Sequence, residues 1–236
     1  MGQKVHPGFF RSENNKFKSK WYIYDVKAAD FIVEDVKIRR FLINKCRSAL
    51  LSSIEIERAK NKTGNFDLKI DVYVSFPNII IGQNNEKLEI LKNELRAIIS
   101  EKNFYLNILP VAVPSSDANI VARKMVIDLE KRLNYKILMK KAVHFVMKAG
   151  AKGCKIKISG RIDGADIARS ESCSEGSIPL QTLKENITFA RETAKMSYGS
   201  LGVKVWINHD KKKELDTNKV VNELNKIYVK VKKNKN

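Results

Sequence analysis

The chain has 236 residues, 43% of them hydrophobic, enough for one large domain or two small ones with apolar cores. Lys and Arg number 45 against 26 Asp and Glu, a formal charge of +19, which favours nucleic acid over an anionic membrane as the partner. No apolar run is long enough to cross a bilayer and no signal peptide is visible at the start, so we expect no membrane partner.

The first half of the chain predicts an α+β domain. Residues 1–20 are basic and without periodicity, so we expect an extended N-terminal arm. Helical spacing of apolar residues follows between Phe31 and Leu50, and the segment SSIEIERA alternates as a strand does. The clearest strand is FDLKIDVYVSF, which is apolar at every even position from Phe66 to Phe76 and is ended by Pro77.

A turn at Gly82 separates this strand from an amphipathic helix. Four apolar residues at helical spacing predict that helix from about Glu86 to Ser100. The segment FYLNILPVAV then predicts another strand. The order helix, strand, strand, turn, helix, strand defines a compact domain, whose bounds we set at residues 21–114.

Residues 115–208 predict a second α+β domain with a mixed or antiparallel sheet. Ser116 or Asp117 offers a helix cap, and helical sequence continues from there to Ala149 with a bend at RLNYK. Strands are expected at CKIKISG, around NITFARE and at LGVKVWI. Residues 209–236 are a Lys- and Asn-rich tail whose apolar spacing is compatible with a marginal helix.

Positive charge is concentrated between Lys131 and Arg161, where the sequence holds ten basic residues and no acidic one. Four side chains recur every four residues and form a basic stripe on one helix face: Lys136, Lys140, His144 and Lys148. We expect the opposite side to be buried through Leu133, Ile137, Val143 and Val146. Like charges at this spacing repel by roughly 0.2–0.5 kcal/mol per pair, so the missing acids favour a polyanion partner over a solvated face.

The segment ISGRIDGADIARSESCSEG is rich in glycine and polar residues. It fits neither common phosphate-loop spacing, so a nucleotide site has little support. No pair of its carboxylates is singled out for acid–base catalysis, and Arg161 and Arg169 offer a simpler role as their charge partners.

Cysteines and histidines are few and scattered. Cys46, Cys154 and Cys173 have no CxxC spacing, and the three histidines lie far apart. We therefore expect no metal, no cofactor, no small-molecule substrate and no disulfide framework, only neutral thiols in a reducing compartment.

The stretch NIIIGQNNEKLEIL has a turn at Gly82-Gln83-Asn84-Asn85 at the mouth of a helix. Some domains grip a phosphate backbone with a glycine followed three residues later by a small or turn-prone residue. Here the middle pair carries no charge. The turn is a nucleic-acid loop, a weakened one, or only the start of a helix.

Four separated blocks carry a family resemblance: MGQKVHP, GAKGCKIKISGRIDGADIARSE, EGSIPLQTL and YGSLGVKVWI. Their order and spacing resemble the bacterial-type ribosomal protein S-three family of the small subunit along nearly the whole chain, up to His209. The resemblance implies a type II KH domain followed by the C-terminal domain of the family. It also implies a place in the small-subunit head, beside the entry of the messenger RNA channel.

The function implied by the resemblance is structural, without catalysis. Its implied partners are small-subunit ribosomal RNA, messenger RNA and neighbouring ribosomal proteins. The ribosome would be that of a bacterial cytoplasm or of an organelle matrix or stroma. A free KH-type RNA-binding regulator is the alternative, and an RNA-processing enzyme is the least supported.

The resemblance also implies site residues. It places Gly82–Asn85 at the GxxG position of a KH fold, where Asn85 can tolerate a positive φ, and Gln83-Asn84 lack the lysines of relatives. Lys136, Ile137 and Lys140 stand where bacterial relatives carry two successive arginines and, three residues later, a lysine that face incoming messenger. The candidate RNA-contacting residues are Gly82, Gln83, Asn84, Asn85, Arg132, Lys136, Lys140, Lys141, His144, Lys148, Arg161 and Arg169.

Overall fold

The chain folds into two units, each built from segments with alternating or helical hydrophobic patterns. The computed structural model describes residues 4–11, 17–22, 28–60, 66–82, 85–99 and 104–209. One unit contains the described residues between 17 and 111, and the other contains 4–11 with 112–209. Each unit has one four-stranded sheet, and the fold class is α+β, as the sequence predicts.

The helices and strands are numbered in chain order. The helices are α1 (Pro7–Phe10), α2 (Ala28–Lys45), α3 (Pro77–Ile81), α4 (Glu86–Arg96), α5 (Ala118–Glu130) and α6 (Tyr135–Lys148). The strands are β1 (Ser19–Lys20), β2 (Leu51–Lys60), β3 (Phe66–Val74), β4 (Phe104–Pro110), β5 (Gly153–Gly160), β6 (Arg169–Gly176), β7 (Asn186–Met196) and β8 (Gly199–His209). Two short 3-10 helices lie at Pro114–Ser116 and Ile162–Gly164.

The first unit has strand order β1-β2-β3-β4. Strands β2 and β3 are antiparallel, whereas β1 pairs with β2 and β4 pairs with β3 in parallel. The alternation predicted for β3 is confirmed, since its even positions from Leu68 to Val74 are buried. They join a core that includes Ile38, Leu42, Ile54, Ile56, Leu91 and Leu95. This core holds α2 and α4 with the sheet.

Charges are buried in this first unit. Arg58 of β2 donates to Asp35 at 2.7 Å and lies 3.0 Å from the Glu34 carboxylate, both on α2. Its guanidinium lies 4.5 Å from the centroid of the Phe31 ring, and Trp21 Nε1 donates to Asp35 at 2.9 Å. We name these buried groups, Arg58, Asp35 and Glu34, the ion cluster. Their pairing is what makes their burial tolerable.

The second unit has strand order β6-β5-β8-β7, with every pair antiparallel. Helices α5 and α6 share an apolar core with the sheet, formed by residues such as Met125, Val143, Ile156 and Val205. Burial in this core raises the pKa of the Cys154 thiol to about 12, with smaller contributions from Cys173 and Glu175.

The predicted helix cap and bend are both present. Asp117 accepts a hydrogen bond from the Asn119 amide at 2.8 Å and begins α5. Arg132 then adopts a left-handed backbone (φ 61°), and Asn134 accepts from the Lys136 amide at 2.9 Å. The helical stretch is therefore two helices, because a left-handed residue ends the first and a side-chain cap begins the second.

The N-terminal arm differs from the expected extended chain in its described parts. Residues Pro7–Phe10 form α1, and the His6 ring meets Phe189 of β7 edge-on at 4.9 Å. Arg11 is buried and donates to carbonyl oxygens of Leu180 and Thr182 at 3.0 and 2.8 Å. Ser19–Lys20 forms the edge strand β1. These contacts join residues distant in sequence, which local periodicity does not reveal.

Two further elements of the described residues, besides α1 and β1 in the arm, were not predicted. Strand β6 lies in the segment interpreted as a polar, glycine-rich stretch, because pairing with β5 supplies its hydrogen bonds although it has almost no apolar residues. The short helix α3 begins at Pro77, and proline at the first helical position costs no hydrogen bond. Helix α4 ends at Arg96 rather than Ser100. The predicted tail lies outside the described residues beyond His209.

Candidate nucleic-acid interface

The basic stripe lies on the exposed side of α6. Lys136, Lys140, His144 and Lys148 are all exposed, and Lys141 adjoins them. Within the ranges that the structure describes, none of these lysines forms an ion pair. The stripe is therefore a run of uncompensated positive charge along a helix about 14 residues long.

The buried side of α6 differs from the prediction. Leu133 and Ile137 were expected to face the core, but their side chains are 50% and 52% exposed. The core positions are instead Tyr135, Leu138, Met139, Val143 and Val146. Leu133 precedes helix α6, which begins at Tyr135. Ile137 lies within the helix, but the buried residues are on a different face, so Ile137 is on the exposed side next to the stripe.

An aromatic side chain adds to this surface and was not predicted. Phe145 is 53% exposed, next to His144, and the Lys124 ammonium of α5 lies 5.4 Å from its ring centroid. An exposed ring among cations is suited to stacking on an unpaired base. The signal in the sequence was Phe145 itself, an aromatic residue inside the basic run, but only the burial pattern shows that it is exposed.

The loop before α4 has the backbone geometry of a tight helix entry. Gly82 has φ 71° and ψ −174°, and Asn85 has φ 64° and ψ 9°, so Asn85 takes the left-handed conformation as expected. A Cβ on Gly82 would lie 3.0 Å from Cγ of Lys87, so the position has little room for a side chain. Gln83 and Asn84 lie outside the described residues.

A shallow groove of about 250 Å³ lies beside this loop. It is lined by Ile79, Ile90 and Leu91 together with Lys45 and Lys87. Lys45 is paired with Glu94 at 2.7 Å. A partly apolar groove with a lysine at its rim is suited to hold a base while the loop approaches the backbone.

The remaining predicted arginines lie in the second unit. Arg132 is exposed at the end of α5, just before the stripe. Arg161 donates to the carbonyl oxygens of Ala165 and Tyr198 at 2.9 and 3.1 Å and pairs with Asp166 at 3.2 Å.

Arg169 is exposed and lies 3.4 Å from the Glu171 carboxylate. Arg161 and Arg169 thus form ion pairs with nearby carboxylates, as the sequence favoured. Arg132 is exposed and precedes the helix that carries the stripe.

Two further properties concern the described ranges alone. No cluster of three His, Cys, Asp or Glu side chains there is arranged to hold a metal ion. None of the helices in these ranges is long and apolar enough to span a membrane.

The fold and these surfaces define a class of protein: an RNA-binding protein built from a KH domain and a second α+β domain with a cationic helix. The family model for the KH domain matches residues 37–116, and that for "Ribosomal protein S3, C-terminal domain" matches residues 125–207. From α2 onward the element order of the first unit, α2-β2-β3-α3-α4-β4, is that of a type II KH domain.

Curated relatives extend the similarity to most of the chain. It is 42% identical over 208 residues to the small ribosomal subunit protein uS3 of Clostridium botulinum (strain Okra), covering 88% of this chain and 91% of the relative. The same protein of Clostridium kluyveri (strain NBRC 12016) matches with the same identity and coverage. The chain belongs to the uS3 family of ribosomal proteins. It is a structural, non-enzymatic protein of translation.

Proposed function

We propose that the protein is a constituent of the small-subunit head that binds ribosomal RNA and lines the entry of the messenger RNA channel. Family membership supports the ribosomal role. The observation that carries the channel role is the α6 surface, where the basic stripe, Lys141 and Phe145 are exposed together without an acidic residue in the helix.

The stripe has the chemistry that an RNA backbone requires. Each lysine that neutralises a phosphate releases condensed counterions, so binding is favoured by entropy and weakens as salt rises. Lysine is a point-charge donor and does not bind phosphate in the bidentate manner of arginine. A lysine stripe therefore holds a moving strand without fixing its register, which suits a channel through which messenger passes.

The loop has a smaller role in this proposal. Its geometry at Gly82 and Asn85 allows close approach of an RNA backbone to the amides at the start of α4. Without lysines at its centre, the loop contributes contacts of the backbone and little charge. We assign it to ribosomal RNA, whose position is fixed, rather than to the messenger.

The remaining partners follow from the family. Neighbouring small-subunit proteins and ribosomal RNA are the proposed partners, and the ribosome is the proposed location. The curated relatives come from bacteria, which supports a bacterial cytoplasm or an organelle of bacterial descent. Cys46, Cys154 and Cys173 are all free thiols, which fits a reducing compartment.

The test is RNA affinity across a salt series for the variant Lys136→Gln/Lys140→Gln/Lys148→Gln. Three lost phosphate contacts should lower the slope of log affinity against log salt by about two units, since each contributes roughly 0.7–0.9. Glutamine preserves the helix because its propensity nearly equals that of lysine. Circular dichroism checks folding.

A charge-matched control uses lysines that already have carboxylate partners: Lys20→Gln/Lys69→Gln/Lys152→Gln. Lys20 lies 2.6 Å from Glu55, Lys69 lies 3.1 Å from Glu57 and Lys152 lies 3.7 Å from Glu185. The hydrogen bonds to Glu55 and Glu57 raise the pKa of Lys20 and of Lys69. The control should change the slope little. A folded stripe variant with an unchanged slope would show that the stripe is only a solvated face.

The channel role needs a second measurement, in ribosomes. The stripe variant should slow translation of a messenger with a stable hairpin more than that of an unstructured messenger. Equal slowing of both would contradict the channel role. Sedimentation separates the ribosomal role from that of a free regulator, since a ribosomal protein travels with the small subunit.

A further inference from the structure

The sheet of the second unit has one face that no described helix longer than α1 covers. Buried residues of β5 and β8 alternate along the strands and face α5 and α6, among them Ile156, Ile158, Val203 and Val205. The intervening side chains therefore point to the opposite side. We name this opposite side the open sheet face.

Three basic residues are neighbours on the open sheet face. Arg191 of β7 is directly opposite Lys204 of β8, and Lys204 is directly opposite Lys157 of β5. Adjacent strands are about 4.8 Å apart, so the three side chains start within about 10 Å of one another. We name these three residues the cross-strand row. Lys155 and Lys195 lie on the same face, since each is an even number of residues from a member of this row.

No carboxylate offsets this charge within the described strands of the sheet. The acidic residues of β6 and β7 alternate to the helix side, where Glu192 accepts from Arg123 at 2.8 Å and Glu171 accepts from Tyr135 at 3.0 Å. No residue of the cross-strand row forms an ion pair with the part of the chain that the structure describes. Like charges directly opposite in a sheet are destabilising, so this arrangement indicates an anionic partner.

The residues on either side of the cross-strand row are hydroxyl-bearing on one side and aromatic on the other. On one side Thr193, Gly202, Ser159 and Ser170 are cross-strand neighbours, so small hydroxyl groups surround a glycine. A Cβ on Gly202 would lie 3.2 Å from Ser159 Oγ, so the glycine leaves room for the Ser159 hydroxyl, which donates to the Gly202 carbonyl at 3.4 Å.

Aromatic rings lie on the other side of the cross-strand row. The rings of Phe189 and Trp206 are 5.2 Å apart at an angle of 39°, and Lys155 is the next cross-strand neighbour of Trp206. The His6 ring of the N-terminal arm packs edge-on against Phe189 at 4.9 Å, so the aromatic row is partly covered. The groups left for RNA are the cations and hydroxyl groups, which bind its phosphates and sugars.

We propose that the open sheet face is a second RNA-binding surface, on the side of the domain opposite the basic stripe, with the cross-strand row contacting backbone phosphates. The positive charge of the cross-strand row favours an anionic partner. An apolar partner would bury three cations without compensation. Residues 210–236 of the chain itself would add repulsion, since they carry nine lysines against four carboxylates. The inference rests on the RNA-binding function and adds a contact to it.

The experiment uses the full chain and a transcript of small-subunit ribosomal RNA from the same source. The variant Lys157→Gln/Arg191→Gln/Lys204→Gln should lower the salt slope by about two units, whereas the matched control Lys20→Gln/Lys69→Gln/Lys152→Gln should change it by less than half a unit. Equal changes in both would overturn the proposal, because net charge alone would then explain them. A slope lowered here but unchanged in the stripe variant would overturn only the stripe's role.

A measurement on the unaltered protein covers the case of a misfolded variant. Acetylation of lysine amines should slow at least threefold at the partly exposed Lys157 and Lys204 when the RNA is bound, and little at Lys69, which is already paired with Glu57. Unchanged rates with bound RNA would overturn the proposal. So would protection that appears only when ribosomal proteins are added, since that would assign the face to a protein partner.

Discussion

In the first unit Arg58 lies buried with Asp35 and Glu34, and the loop that faces RNA in KH domains has no charge at its centre. In the second unit the buried cation is Arg11, which donates to backbone carbonyl oxygens rather than to carboxylates, and the lysines of α6 lie on the surface without ion pairs to the described residues. Both units belong to the same strongly basic chain. A net charge of +19 thus does not say where the charge acts, because burial decides which cations hold the fold and which remain available for RNA.

The ion cluster gives the largest expected effect. Arg58→Met should lower the free energy of unfolding by roughly 3–5 kcal/mol, because it leaves the Asp35 and Glu34 carboxylates buried without their cation. Urea unfolding followed by circular dichroism measures this. Lys69→Met is the control, since Lys69 is an exposed partner of Glu57 and such pairs contribute about 1 kcal/mol or less. Equal losses in the two variants would mean that the cluster is not special.

The loop should respond to backbone conformation. Asn85→Val should cost about 1–2 kcal/mol, because a β-branched residue resists the left-handed conformation that Asn85 adopts with φ 64°. Asn85→Gly is the matched control and should be tolerated. Thermal unfolding and RNA affinity should change together in the valine variant alone. A harmless valine variant would show that the turn has another accessible conformation.

The buried Cys154 thiol should make the free energy of unfolding fall by about 1–2 kcal/mol between pH 8 and pH 10. The folded-state pKa of Cys154 is raised to about 12, so the thiol stays protonated in the fold while the unfolded chain ionises near its ordinary value. The contribution of this thiol to the free energy of unfolding should therefore be fully present below about pH 8.5 and be lost progressively up to pH 12.

Denaturant unfolding at pH 8 and pH 10 tests this effect by comparing the wild type with Cys154→Ala. The alanine variant should be less stable at pH 8, because it leaves a small cavity, and should lose less on going to pH 10. Cys173→Ala, at a partly exposed thiol, serves as the control. Identical pH dependence of the wild type and Cys154→Ala would contradict the buried-thiol explanation.

The smallest effect is expected at the centre of the loop. Gln83→Ala/Asn84→Ala should lower RNA affinity by about fivefold or less for each hydrogen bond lost, because no charge is lost and the net value of a neutral hydrogen bond is only about 1 kcal/mol. Gln83→Lys/Asn84→Lys should instead raise the salt slope by up to about 1.8 units, roughly 0.7–0.9 for each new phosphate contact. A double alanine variant as damaging as Asn85→Val would show that these side chains bind RNA directly.

Local pattern was sufficient for much of this protein. The alternation in β3, the cap at Asp117, the positive φ of Asn85 and the basic run of α6 all depend on residues close together in sequence. The four blocks of family resemblance added the KH assignment and the ribosomal role, which the comparisons bear out.

Contacts between distant residues decided the rest. Strand β6 forms because β5 pairs with it. Burial of the Arg58 guanidinium is tolerated because α2 brings two carboxylates to it. Ile137 is exposed because other α6 residues face the sheet. Lys157, Arg191 and Lys204 are up to 47 positions apart and become neighbours only through the register of three strands. Periodicity indicates which residues share a face of one element, whereas the pairing of elements is fixed by packing and hydrogen bonding across the fold.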